Sequence, residues 1–182
     1  MQISQPGFWS LTLKTVVAHT VTYFLVGLMA LTLLGYEQLF ARPQLAVYMR
    51  QTDDPWVMAG PLFQPIRAVL FASVFYLLRE RLFGQRLGWV VMWWVLVALG
   101  ILSTFGPSPG SLEGMIYTRV PWREQFVGLP EGLVQALLLS VLLVFWVRHS
   151  EKRWLNWLLG VLFALVMLLP ALGLVTQQGR LN

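Results

Sequence analysis

Apolar residues fall into five long runs separated by polar clusters: about Leu11 to Leu34, Pro65 to Leu82, Leu87 to Phe105, Leu129 to Val147 and Trp154 to Val175. Each run is close to the ~20 residues a helix needs to cross ~30 Å of hydrocarbon at 1.5 Å per residue. The runs are continuously apolar, without the in/out alternation of barrel strands, so a β-barrel is excluded. Lipid offers no partner to an unpaired peptide group, which leaves the helix as the spanning element. The pattern predicts an all-α fold: a polytopic transmembrane helical bundle of five spans forming a single integral membrane domain over residues 1–182. The first run is the least regular, with Lys14, His19 and several threonines. Threonine hydroxyls can bond the preceding turn, and a lysine can snorkel to the interface. Pro170 lies inside the fifth run and should kink it. Trp56, Trp89, Trp122, Trp146, Trp154 and Trp157 sit near run ends, as in an aromatic belt. Trp93 and Trp94 sit deeper and are expected between helices.

Composition narrows the picture. Apolar residues make up 57% and charged residues 12%, against roughly 25% charged in a soluble domain. With a mean hydropathy of +0.66, these values exclude a soluble globular protein, a disordered chain and a charged coiled coil. There is no cysteine, which removes disulfide frameworks, thiol catalysis, iron–sulfur clusters and cysteine zinc sites. Two histidines, His19 and His149, are too few for a histidine metal cluster, and no cofactor is expected. The opening MQISQPGFWSLTLK has neither a basic start nor a cleavage site and is not expected to be a cleaved signal peptide. The net charge of +5 sits around the apolar runs, so it speaks to topology rather than to nucleic acid.

The short connections LRERLFGQRLG and VRHSEKRW carry Arg79, Arg81, Arg86, Arg148, Lys152 and Arg153. With Lys14 they make one face basic, offset only by Glu80 and Glu151. The opposite face mixes Arg42, Arg50, Arg67, Arg119, Arg123 and Arg180 with Glu37, Asp53, Asp54, Glu113, Glu124 and Glu131. Short basic loops stay cytoplasmic. The expected arrangement is therefore a plasma (inner) membrane protein with its N-terminus in the cytoplasm and its C-terminus outside. A shift of 67 residues lays runs two and three on runs four and five, matching Gln64 to Glu131, Ser73 to Ser140 and Arg81 to Arg148. This faint repeat suggests two parallel hairpins.

The two longer connections, YEQLFARPQLAVYMRQTDDPWVMAGPLFQP and GPSPGSLEGMIYTRVPWREQFVGLP, hold most of the polar residues. They interleave aromatic and charged positions, unlike a flexible linker. Ordered outer loops with short interfacial helices are expected, one of them starting at Ser111. Loops this long usually carry function. Arg50, Asp53, Asp54, Gln64 and Arg67 form a first candidate cluster, for a hard cation or for internal ion pairs, while DDP is also a turn signature. Arg67 lies near hydrocarbon and needs a partner, with Glu131 the natural one and Glu113 and Glu124 as rivals. Glu131 follows Pro130 and also reads as an acid in a first helical turn. Glu113 and Glu131 beside Tyr117 could serve as paired acid and base. Within the membrane, His19 and Gln135 are the polar residues of interest. His19 is either a proton, quinone or haem contact or a neutral histidine bonded to a neighbouring helix.

Gly-rich phosphate loops, HExxH and CxxC are absent. Three functions remain: outer loops forming a binding or assembly surface for a partner protein, lipid head group or small anion; a membrane enzyme at the outer leaflet with paired carboxylates and an arginine anchor; or a transporter or channel component acting as an oligomer. The expected partners are the lipid bilayer and another membrane protein or a second copy, with no nucleic acid.

Overall fold

The computed structural model describes residues 5–47 and 49–178. All regular structure there is helical. In chain order the α-helices are α1 (Phe8–Leu33), α2 (Tyr36–Phe40), α3 (Pro43–Ala46), α4 (Pro55–Met58), α5 (Gly60–Leu77), α6 (Arg79–Gly84), α7 (Gly88–Val97), α8 (Leu112–Tyr117), α9 (Trp122–Val127), α10 (Leu129–Arg148) and α11 (Arg153–Gln178). A π-helical turn, Ala98–Leu102, continues α7. Arg180 lies outside the described residues.

Four stretches are long and apolar enough to cross a membrane: Phe8–Leu33, Gly60–Leu77, Trp122–Arg148 and Arg153–Thr176. They coincide with four of the five apolar runs. The third run folds shorter, as Gly88–Leu102. Its last turn widens, with the Ser103 N–H bonding the Ala98 carbonyl at 2.9 Å, and GPSPG follows soon after. α5 begins at Gly60 and carries Pro65 inside it, five residues before the start expected from the apolar pattern. Pro61 sits in the first turn, where the amide donors have no acceptor, whereas Pro65 removes the bond its amide would make to the Pro61 carbonyl.

α1 is the central helix. It packs closely against α5, α10 and α11, while α7 packs against α10 and α5 against α11. The face of α5 turned inward reads Pro61, Gln64, Ala68, Ala72 and Phe75, a three-and-four spacing that places small residues in one stripe. Apolar burial gives little drive between helices in lipid, so close van der Waals approach over such small residues holds the bundle together. Burial of Thr15 and Thr22 in α1 costs little, because they donate to the carbonyls of Leu11 and Ala18 at 2.8 Å each; the buried Thr20 hydroxyl has no partner among the described residues.

Contacts between remote residues give the course of the chain. At one end Phe8 meets Tyr76 edge-on at 5.3 Å and Lys14 donates to Ser150 at 2.6 Å. There the Arg148 guanidinium also donates to the carbonyls of Phe83, Gln85 and Arg86. Both short basic bends therefore share this end. At the other end Tyr36 reaches Glu131, Arg42 reaches Glu124, and Gly173 lies beside Met58. α7 starts against the Leu82 carbonyl at the basic end, and its π turn brings Ile101 to Gly132, near the start of α10. The first helix of each hairpin, α5 and α10, flanks α1 and packs on the second helix of the other hairpin. The match is incomplete: α11 packs closely on α1, whereas α7 is not among α1's close neighbours.

Candidate functional site

The gap between α1 and α7 holds a cavity of about 120 Å³. Its walls are His19 from α1, Arg67 and Phe71 from α5, Leu96, Gly100 and Ile101 from α7 and its π turn, and Gly132, Gln135, Ala136 and Leu139 from α10. At 1.5 Å per residue this face of α10 lies roughly 5–15 Å from that helix's first residue, on the side of the long loops. The volume far exceeds the ~10–15 Å³ that admits a single water. Space arises partly from glycine. Gly100 has nothing within 4 Å of where a Cβ would stand, while a Cβ on Gly132 would meet Ile101 Cδ1 at 3.0 Å.

His19 is 1% exposed. Its Nε2 lies 3.1 Å from Gln64 Oε1, joining α1 to α5. The orientation of the Gln64 amide is set by a second bond: its NH2 donates to the Gly60 carbonyl at 3.2 Å, one helical turn back. A carbonyl can only accept, so the amide oxygen must face His19, and Nε2 must carry the proton. His19 Nδ1 is buried and has no hydrogen-bond partner among the described residues. Phe71 packs edge-on against the imidazole, with centroids 5.0 Å apart.

Arg67 stands on the next turn of α5 and lines the same cavity. Its Cζ is 5.4 Å from the Phe71 centroid. Among the described residues it makes no ion pair and no hydrogen bond; the two ion pairs there are Arg42–Glu124 and Arg50–Asp54. Glu131 does not meet it. α5 and α10 both lean on α1 rather than on each other, and Glu131 reaches toward α1 at Gly27. There its Oε2 accepts from the Tyr36 hydroxyl, and its Oε1 lies 3.8 Å from the Cβ position of Gly27. Burial first, and then this bond to the carboxylate, hold the Tyr36 hydroxyl above the ordinary tyrosine value of 10.0.

The first candidate cluster is thus divided. Asp54 caps α4, accepting from the Trp56 N–H at 2.8 Å, and pairs with Arg50 at 3.0 Å. The Trp56 bond and then Arg50 hold its carboxyl below the usual range. Asp53 is exposed, and no group of three metal-ligating side chains exists among the described residues. Gln64 faces the bundle instead, and Arg67, exposed overall, lines the cavity wall. Glu113 lies in the first turn of α8 with no hydrogen bond or ion pair among the described residues, and Tyr117 is 72% exposed. Neither approaches Glu131 within bonding distance. Gln135 lines the cavity with His19.

The sequence did not single out Tyr36, Gly100, Gly132 or Gln125. A lone glycine in a membrane helix marks room or close approach, so the two helical glycines were open to detection. Gln125 was not, since its partners are set by the fold. It is 2% exposed and ties the second long loop together. It accepts from the Gly110 N–H at 2.9 Å and donates to the Gly114 carbonyl at 3.0 Å and to Thr118 Oγ1 at 2.9 Å. Ser111 caps α8, accepting from the Gly114 N–H at 3.0 Å.

No protein-family model, curated protein or solved structure matches this chain. The site is read from its own geometry.

Proposed function

We propose that this is a five-pass membrane protein that binds a phosphate or carboxylate group in the cavity between α1, α5, α7 and α10. The observation carrying this reading is Arg67, a cation on a membrane helix that lines the cavity and makes no ion pair among the described residues. A charge in that position needs a partner. The guanidinium fork suits a planar or tetrahedral oxyanion, with two parallel N–H donors. Gln135 adds a neutral donor on the facing wall. Glu131 would repel an anion, but its carboxylate is held by Tyr36 and lies outside the cavity lining.

In this reading the chain sits in the plasma (inner) membrane, with the long loops outside and the basic bends in the cytoplasm. The α7–π stretch is the fifth crossing, shortened where the bilayer thins or the helix is covered by α10. The binding role first expected of the long loops passes to the bundle mouth, and the loops frame it. Binding is favoured over conduction by the cavity floor. Leu139 belongs to a dry cluster with Phe75, Leu82, Phe83, Met92, Leu143 and Leu11, all essentially inaccessible, between the cavity and the basic end.

The test uses protein in a phosphate-free maltoside detergent, with dihexanoyl phosphatidic acid and inorganic phosphate as separate probes. A ligand at a hundredfold its Kd adds about 2.7 kcal/mol, a Tm rise of roughly 5–10 °C for a chain of this size. We expect that rise in the native protein and its loss in Arg67→Gln. A response to the lipid alone marks a head-group site, and an equal response to both marks a free-anion site. The reading fails if neither probe moves the native Tm, or if Arg67→Gln responds as the native protein does.

A further inference from the structure

We infer that the anion held at Arg67 is the head group of a lipid from the leaflet on the long-loop side, which enters sideways through the seam between α5 and α7 and leaves its acyl chains in the bilayer. This rests on the anion-binding reading above and names its ligand class: an amphiphile with an anionic head, rather than an anion free in water.

Four helices bound the cavity, and their four seams differ. α1 packs closely on α5. Two polar contacts cross that seam: His19 meets Gln64, and the Tyr23 hydroxyl lies 3.5 Å from the Cβ position of Gly60. α1 also packs closely on α10, where Glu131 Oε1 lies beside Gly27. α7 packs closely on α10; Ile101 of its π turn reaches Gly132, and Trp93 Nε1 donates to the Leu133 carbonyl at 3.2 Å. α5 and α7 are not close neighbours. Exposure follows the seams. The lining residues His19, Ala136 and Leu139, from α1 and α10, are buried. Arg67 on α5 and Gly100 in the π turn are exposed, and Phe71 and Leu96 are partly so. The open side is therefore the one between α5 and α7. Outside it the surface is apolar. Arg67 stands seven residues after Gly60, about 10 Å down α5 at 1.5 Å per residue. Its exposed neighbours on α5 are Phe63, Ile66, Val69 and Leu70, and Leu99 is exposed beside Gly100. On a spanning helix such a surface meets hydrocarbon. A free anion would have to shed its water and cross that hydrocarbon to reach Arg67, at a large desolvation cost. A lipid head group is already anchored at the interface, and the long arginine side chain can extend toward it. Phe71 and Leu96, on either side of the seam, offer apolar contact to the first methylenes of the chains.

The experiment compares dihexanoyl phosphatidic acid with glycerol 3-phosphate, the same phosphate monoester on glycerol without chains. Binding is measured on the full chain in maltoside. A Cβ on Gly100 would have nothing within 4 Å, so Gly100→Leu adds bulk at the open rim of the cavity without a clash. Burial of two methylenes corresponds to roughly a tenfold change in Kd. Gly100→Leu should therefore weaken the lipid about tenfold and leave glycerol 3-phosphate unchanged. Partitioning of the lipid into micelles is common to both proteins and cancels. An unchanged lipid Kd in Gly100→Leu, or an equal loss of both probes, overturns the inference; loss of both probes in Arg67→Gln then shows that the anion site itself stands. Binding of neither probe to the native protein removes both proposals. A second readout needs no ligand. The native chain has no cysteine, so a nitroxide can be attached at Leu96→Cys, with Ile66→Cys as the reference, since Ile66 is 66% exposed beside Arg67. In phosphatidylcholine vesicles dissolved oxygen, which concentrates in hydrocarbon, should relax both labels comparably, and a water-soluble nickel chelate should reach neither. Nickel reaching the Leu96 label but not the Ile66 label means that the cavity opens to water and overturns the inference. Oxygen reaching the Ile66 label but not the Leu96 label means that the seam is shut and overturns it as well.

Discussion

Single residues decide where polarity is tolerated in this bundle. His19 and Gln64 stand 45 positions apart and satisfy each other only because α1 and α5 meet. Tyr36 and Glu131 form a similar link between the first long loop and α10. This link has a pH signature. A phenol whose folded pKa exceeds its unfolded one contributes stability that is fully present below the unfolded value and lost as pH rises toward the folded value. Raising the pH above 10 should therefore lower the stability of the native protein, and Tyr36→Phe should remove that part of the alkaline loss. At neutral pH Tyr36→Phe should cost about 1.5–3 kcal/mol, the usual range for a hydrogen bond to a charged acceptor. Detergent melting of both proteins between pH 7 and 11 measures the two effects. Parallel pH profiles would show that the Tyr36 hydroxyl does not carry this link.

At the scale of elements, the second long loop is ordered by internal bonds rather than by an apolar core. α8 and α9 have six residues each, too few to be stable alone. Gln125 holds them together through Gly110, Gly114 and Thr118. Gly110 adopts a φ of 85°, and a Cβ there would also meet Leu129 Cδ2 at 2.7 Å. On Gly114 a Cβ would fall 1.9 Å from the Ser108 carbonyl oxygen, a clash that only a backbone shift relieves. Gln125→Leu leaves several buried groups unbonded and should cost about 2–3 kcal/mol. Both Gln125→Leu and Gly114→Ala should speed limited proteolysis between Gly106 and Pro121, with the helical bundle left intact. Unchanged cleavage in both variants would mean that the loop is ordered by something else. The composition of this loop pointed to order, and Ser111 was legible as a cap from its own residue type. The partners of Gln125 were not, because a glutamine in a polar stretch looks the same whether it faces solvent or three backbone groups and a threonine hydroxyl.

For the whole molecule, the course of the chain makes a prediction about sidedness. The two basic bends share one end through Arg148, and the long loops share the other through Arg42–Glu124 and Tyr36–Glu131. The native chain has no cysteine, so single substitutions report cleanly with a membrane-impermeant maleimide. Glu80→Cys and Ser150→Cys should label from one side of an oriented vesicle, and Asp53→Cys and Glu113→Cys from the other. Labelling of Glu80→Cys and Ser150→Cys from opposite sides would remove the five-pass arrangement. α11 shows the least burial of the long helices, with Trp157, Val161, Leu165, Leu168, Leu172 and Val175 all exposed, as expected of a helix whose outer surface meets lipid.

The apolar runs determined four long helices and the all-helical class, because bilayer thickness and unpaired peptide groups constrain every membrane chain in the same way. The length of the third helix was less legible, since an apolar run does not reveal where a π turn and a following proline loop will end it. Candidate residues were also readable one by one: a histidine, an arginine and two glutamines stand out against hydrocarbon. Their grouping was not. The sequence placed Gln64 and Arg67 with Asp53 and Asp54 by proximity along the chain. In the fold, helical rotation turns Gln64 inward to His19 and leaves Arg67, exposed, on the cavity wall it shares with His19 and Gln135. Which faces of α1, α5, α7 and α10 meet depends on small-residue packing summed over whole helices, and that sum alone sets Arg67 beside a cavity rather than beside Glu131.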